Sequence, residues 1–74
     1  KNIHGTNKCI VLFSFDNGAL GGGYILYLDK KVASTLNIRK KIWFNNRTEI
    51  PKVKVIGTNT INVKTEYTEI EIEI

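Results

Sequence analysis

Apolar and polar residues alternate along much of this chain with a period of two, the period of a half-buried β-strand. The alternation predicts three strands in the C-terminal third, at residues 49–56, 60–66 and 69–74. On the second of these strands, Ile61 and Val63 share the face that we expect to point into the core. The last strand reads E-I-E-I-E-I and presents an unbroken acidic face to solvent.

The first apolar run, residues 8–15, reads K-C-I-V-L-F-S-F and has no polar face. A strand that is apolar on both faces is typical of the centre of a sheet, so the run predicts a central strand. Cys9 has the same parity as Val11, Phe13 and Phe15. We therefore expect Cys9 to be a small buried residue on the core face, with an unreactive thiol.

A glycine-rich loop at residues 18–23 leads into a predicted hairpin. Residues 24–28 form its first, buried strand, residues 29–31 (Asp-Lys-Lys) its turn and residues 32–38 its returning strand. A short strand follows at residues 42–44. Six or seven short strands at this spacing predict an all-β fold, either a small antiparallel β-sandwich or an open barrel.

The composition agrees with a β fold and with a single domain. The 74 residues include 11 Ile, 5 Val and 7 Thr, the β-branched residues that pack well in strands. A chain of this length has room for one core, so we expect a polar lead at residues 1–7 and a single β domain at residues 8–74. The longest apolar run, residues 24–28, is too short for a transmembrane helix.

Charge is distributed unevenly along the chain. Residues 1–54 carry ten Lys or Arg and three acids, a balance of +7, whereas residues 55–74 carry one Lys and four Glu, a balance of −3. Such an imbalance indicates a preference for acidic partners. Within a sheet the same charges could instead cancel: the matching periods of K-V-K-V and E-I-E-I-E-I favour pairing of Lys52 and Lys54 with the glutamates of the last strand.

Residues with catalytic or metal-binding chemistry are few. One His and one Cys are too few for a structural zinc site, and no nucleophile, base and orienting group follow a recognisable order. The glycine-rich loop precedes a strand and not a helix, and it lacks the Lys-Ser/Thr of a phosphate-binding loop. We therefore expect no enzymatic activity, no cofactor and no metal site.

Cations beside aromatic rings are the strongest indication of a binding site. The candidate binding residues are Arg39, Lys40, Lys41, Trp43, Lys52 and Lys54. The stretch R-K-K-I-W-F places three cations before two aromatics, and OB-like barrels bind single-stranded nucleic acid with a basic groove and stacking rings. An OB-like single-strand binder is therefore one interpretation, and a small phage-type inhibitor or binding protein with a basic face is another.

A family resemblance supports a different interpretation. The segment G-G-G-Y-I-L-Y-L-D-K-K-V at residues 21–32 resembles the hairpin of PEGA-type domains and of small bacterial lipoprotein β-sandwiches, and residues 56–63 (I-G-T-N-T-I-N-V) resemble a later turn and strand in those families. The resemblance implies a non-catalytic binding or structural module that is accessory to the bacterial cell envelope or surface. A protein or a surface polymer is then the favoured partner, nucleic acid is the alternative, and the module could form a homo-oligomer.

Overall fold

The computed structural model describes residues 3, 5–16, 18 and 21–74, and its regular elements are all β-strands. The six strands are β1 (Lys8–Asp16), β2 (Gly22–Ala33), β3 (Leu36–Asn45), β4 (Lys52–Ile56), β5 (Thr60–Lys64) and β6 (Glu69–Glu73). They form two antiparallel sheets with the orders β1-β2-β3 and β4-β5-β6, and the sheets are not closed into a barrel. The predicted all-β fold is therefore confirmed.

The core lies between the two sheets and is centred on their middle strands. Leu26 of β2 and Ile61 of β5 are fully buried, and Val63 of β5 is 1% exposed, so the predicted inward face of β5 is confirmed. Ile10 of β1 joins them, as does Ile3 from the segment before β1. The predicted polar lead therefore contributes one apolar side chain to the core, and the Ile3 amide donates to the carbonyl oxygen of Lys8 (3.0 Å).

Strand β1 lies at the edge of its sheet and not at the centre, so its predicted position is wrong. The predicted core face of β1 is also wrong, because Ile10 is the buried residue while Cys9 is half-buried and Phe13 is 42% exposed. Both faces of β1 are apolar because one packs on the core and the other carries Phe13 and Phe15. These two rings are part of an aromatic cluster on the outer side of the sheet.

The predicted hairpin turn at residues 29–31 is wrong as well. Strand β2 continues to Ala33, the turn lies at Ser34 and Thr35, and one strand, β3, replaces the two predicted at residues 32–38 and 42–44. Asp29 stays in the strand because Arg39 lies opposite it on β3 and binds both of its carboxylate oxygens (2.7 Å each). A charge-assisted, two-point pair of this kind stabilises the extended register.

The β2–β3 hairpin extends beyond its neighbour in the sheet. The pairing of β1 with β2 ends at Lys8 and Lys30, and Lys30 lies opposite Ile38 on β3. Each residue from 30 to 38 is exposed. We call residues 30–38 the arm.

The second sheet does not pair its opposite charges as predicted. Lys52 and Lys54 do point away from the half-buried Val53 and Val55, but β5 lies between β4 and β6. The cross-strand neighbour of Lys52 is therefore Lys64, and that of Lys54 is Asn62. Neighbouring strands are about 4.8 Å apart, so one intervening strand holds the β4 lysines and the β6 glutamates about 10 Å apart.

Candidate ligand-binding surface

A β-bulge determines which residues share the outer face of the first sheet. The register of β2 with β3 shifts between Leu26 and Tyr27, so that Trp43 lies opposite Leu26 whereas Lys41 lies opposite Tyr27. Ile42 is the extra residue, and an extra residue reverses the alternation of side chains beyond it. Trp43 therefore faces the core, while Phe44 lies on the outer face with Lys41.

Arg39 lies next to two aromatic rings on this outer face. Its guanidinium carbon lies 5.2 Å from the ring centroid of Phe13 and 5.0 Å from that of Tyr27. The two rings meet edge to face, with centroids 5.4 Å apart. Hydrogen bonding from Arg39 lowers the pKa of the Asp29 carboxyl, although desolvation acts in the opposite direction. The guanidinium is thus anchored beside the two rings by a carboxylate that stays ionised at neutral pH.

A second pair of rings lies further along the same face. Phe15 of β1 and Phe44 of β3 stack with centroids 5.6 Å apart and planes 11° apart, and the Nζ of Lys41 lies 5.7 Å from the Phe44 centroid. The strand between them contributes Gly23, which lies opposite Phe15. Because Gly23 has no side chain, rings from the two outer strands can meet above the central one.

A third contact between a cation and a ring lies where β3 ends. The guanidinium carbon of Arg47 is 4.7 Å from the ring centroid of Tyr67, in the connection between β5 and β6. The two side chains border a cleft of about 330 Å³, which is also lined by Trp43 and Phe44. We call it the end cleft. Phe44 borders both the end cleft and the outer face, so the two surfaces are continuous.

We call these side chains together the cation–aromatic belt; its members are Phe13, Phe15, Tyr27, Arg39, Lys41, Phe44, Arg47 and Tyr67. A cation within about 6 Å of a ring centroid is attracted by the ring, and four contacts of 4.7–5.7 Å lie along this belt. Several of its rings face solvent: Phe13 is 42%, Phe44 52% and Tyr67 67% exposed. Such a concentration of exposed rings and cations marks a candidate binding surface.

The structure brings together some of the residues selected from the sequence and separates the others. Arg39 and Lys41 belong to the belt, and the half-buried Trp43 lines the end cleft. Lys40 is exposed on the opposite face of β3, across from Leu28. The remaining two, Lys52 and Lys54, are on the outer face of the other sheet.

Most aromatic members of the belt cannot be identified from the sequence. The parity of β1 predicts a core position for Phe13 and Phe15, and only the position of Ile10 in the core shows that they face outward. Arg47 and Tyr67 are twenty residues apart in the sequence, in two separate connections, and no local pattern links them. Their pairing depends on the packing of the two sheets.

Among the described residues, no three His, Cys, Asp or Glu side chains converge on a common metal position. That part of the chain also contains no helix with the length and apolar character needed to cross a membrane. Comparisons with protein-family models, with curated proteins and with solved structures found no match.

Proposed function

We propose that this chain is a non-catalytic binding module, that the cation–aromatic belt is its binding surface, and that its ligand is single-stranded nucleic acid. The observation that carries the proposal is the placement of three cation–ring contacts on the outer face of the first sheet, with a fourth at the adjoining end cleft. Aromatic rings and guanidinium planes stack on bases, and the same cations neutralise phosphates.

The belt favours a single strand over a duplex. In a duplex the faces of the bases are stacked on one another and cannot reach a protein ring, whereas an unpaired strand can turn its bases outward. Phe13 and Phe44 are exposed on a sheet face, where such bases could stack on them. Arg39 and Lys41 lie beside these rings and are placed to contact the connecting phosphates.

Titration of a fluorescent single-stranded oligonucleotide at several salt concentrations tests the proposal. We expect the slope of log affinity against log salt to be about −0.7 for each phosphate that a belt cation contacts. Phe44→Ala should weaken binding by about 1–3 kcal/mol, the range measured when a stacking ring is removed. The matched control is Ile56→Ala, since Ile56 is similarly exposed (41%) but lies on the other sheet.

Three results would contradict the proposal: no binding at low salt, binding that does not respond to salt, or equal effects of Phe44→Ala and Ile56→Ala. The melting temperature of each variant separates a loss of binding from a loss of folding.

A second candidate function is supported by the architecture. Two packed antiparallel sheets are what the resemblance to PEGA-type and lipoprotein β-sandwiches implies, and in that setting the module would serve the bacterial cell envelope. Its partner would then be a protein or an anionic surface polymer held by the same cations. Adding an anionic cell-wall polymer to the titration distinguishes the two candidates, because the better competitor identifies the ligand class.

A further inference from the structure

The end cleft differs from the rest of the belt because it is concave. It lies between the C-terminal end of β3 and the connection from β5 to β6, and its volume of about 330 Å³ falls at the lower end of the range for small-ligand pockets. Three of the residues that line it are aromatic: Trp43, Phe44 and Tyr67. A flat apolar group of modest size is the kind of ligand that this lining fits.

The polar groups of the end cleft suit a flat ligand that also carries hydrogen-bonding edges. Arg47 lies over the Tyr67 ring, with its guanidinium carbon 4.7 Å from the ring centroid, and the guanidinium supplies N–H donors for such edges. The Arg47 amide donates to the Oδ1 of Asn45 (3.0 Å). The Asn45 side chain is thereby fixed, and its Nδ2 has no acceptor within the described residues.

Hydrogen bonds centred on the buried Thr65 hold the connection that carries Tyr67 in place. The Oγ1 of Thr65 accepts from the amides of Tyr67 (3.3 Å) and Thr68 (3.1 Å), and it lies 2.9 Å from the Oγ1 of Thr68. The Thr65 amide also donates to the carbonyl oxygen of Thr68 (2.7 Å). The Tyr67 ring is therefore presented by a pre-ordered turn, which reduces the entropy lost when a ligand binds.

We infer that the end cleft is a subsite for one base of the bound single strand, stacked among the rings and met at its edge by Arg47 and Asn45. This inference rests on the proposed function, because it assigns one position along the same ligand. In this arrangement the bound nucleic acid runs from the outer face of the first sheet into the end cleft beside Phe44, which borders both surfaces.

Tryptophan fluorescence tests the subsite directly, because Trp43 is the single tryptophan of the chain and lines the cleft. We expect a single-stranded octanucleotide to quench this fluorescence as it binds. Tyr67→Ala should lower the affinity by about 5- to 150-fold, the loss of one stacked base. Tyr67→Phe keeps the ring and should bind as the wild type does. Since Tyr67 is 67% exposed, its truncation should leave the melting temperature unchanged.

The outcomes distinguish a failure of the proposed subsite from a failure of the proposed function. If Phe44→Ala weakens binding while Tyr67→Ala changes neither affinity nor quenching, the subsite is wrong and the proposed function stands. Absence of any oligonucleotide binding at low salt overturns both. Quenching in the wild type together with weakened binding of Tyr67→Ala, but not of Tyr67→Phe, supports the subsite.

Discussion

At the scale of single residues, Gly23 determines which rings can meet on the outer face of the first sheet. A Cβ added at this position would lie 2.7 Å from the Cζ of Phe15, and it would also collide with the backbone carbonyl of Asn45. The position is buried, so a larger residue has no room to turn away. The close approach of the neighbouring backbone and ring therefore requires glycine here.

We expect Gly23→Ala to destabilise the fold by about 1–3 kcal/mol, the usual cost of overpacking. If alanine fitted without a clash, it would instead stabilise the protein by about 0.4–1 kcal/mol, because it lowers the conformational entropy of the unfolded chain. The sign of the change in stability therefore shows whether the position has room for a Cβ. Urea denaturation measures it. Ser14→Ala, an exposed position on β1, is the control and should change stability by less than about 0.5 kcal/mol. A stabilised Gly23→Ala variant would show that the Asn45 backbone and the Phe15 ring do not approach Gly23 this closely.

At the scale of elements, β6 shows that residues of one parity need not be equally buried. Ile70, Ile72 and Ile74 share a face, but Ile72 and Ile74 pack against the core, whereas Ile70 is 41% exposed beside the end cleft. The strand contributes to folding through its C-terminal part. Its N-terminal part borders the candidate binding surface.

Ile72→Ala should therefore destabilise the protein more than Ile70→Ala does. Truncation of a buried isoleucine costs about 2–5 kcal/mol, and a half-buried Ile72 should fall near the lower end of that range. Ile70→Ala is the matched control on the same strand. Thermal unfolding of both variants gives the comparison, and equal losses would mean that β6 packs evenly along its length.

The strands also show which features of the fold can be predicted from the sequence. The alternation in residues 60–64 predicts correctly that Ile61 and Val63 point inward, because this strand has only one apolar face. In β1 both faces are apolar, so parity alone could not select Ile10 over Cys9. The bulge at Ile42 was hidden for a similar reason: neither glycine nor proline marks it, and its effect on Trp43 and Phe44 depends on the register with β2.

Long-range pairing overrode a local turn signal in the predicted hairpin. Asp-Lys-Lys resembles a turn when it is read alone, but Asp29 has a partner ten residues away in Arg39. That partner is itself a belt residue. The Asp29–Arg39 contact therefore keeps Asp29 in the strand and also orients Arg39 in the candidate site.

At the scale of the whole molecule, the two outer faces differ in charge and in aromatic content. The outer face of the first sheet carries Arg39 and Lys41 among rings, whereas that of the second carries the lysines of β4 and the glutamates of β6 on opposite edges. Net charge alone, which is +4, does not distinguish these faces. The arrangement indicates that a polyanion should prefer the first sheet.

Double substitutions that each remove two positive charges test this difference between the two outer faces. Replacing Arg39 and Lys41 by Gln should flatten the dependence of log affinity on log salt by about 1.4, since two contacts on a single strand are lost. Lys52→Gln with Lys54→Gln removes the same net charge from the other sheet and should leave the slope unchanged. Oligonucleotide titrations at four salt concentrations provide the slopes. Equal flattening by both pairs would place the ligand on no particular face.

The arm gives the molecule two levels of stability. Its residues 30–38 are exposed, whereas Leu26, further back on the same β2 strand, is fully buried. Amide hydrogens in the arm are therefore expected to exchange through local opening, and those around Leu26 only through global unfolding. Arg39 and Asp29 pair at the root of the arm, so fraying that starts at Ser34 and Thr35 reaches the belt last. The hairpin can thus fluctuate at its tip while the surface that we propose binds the ligand stays folded.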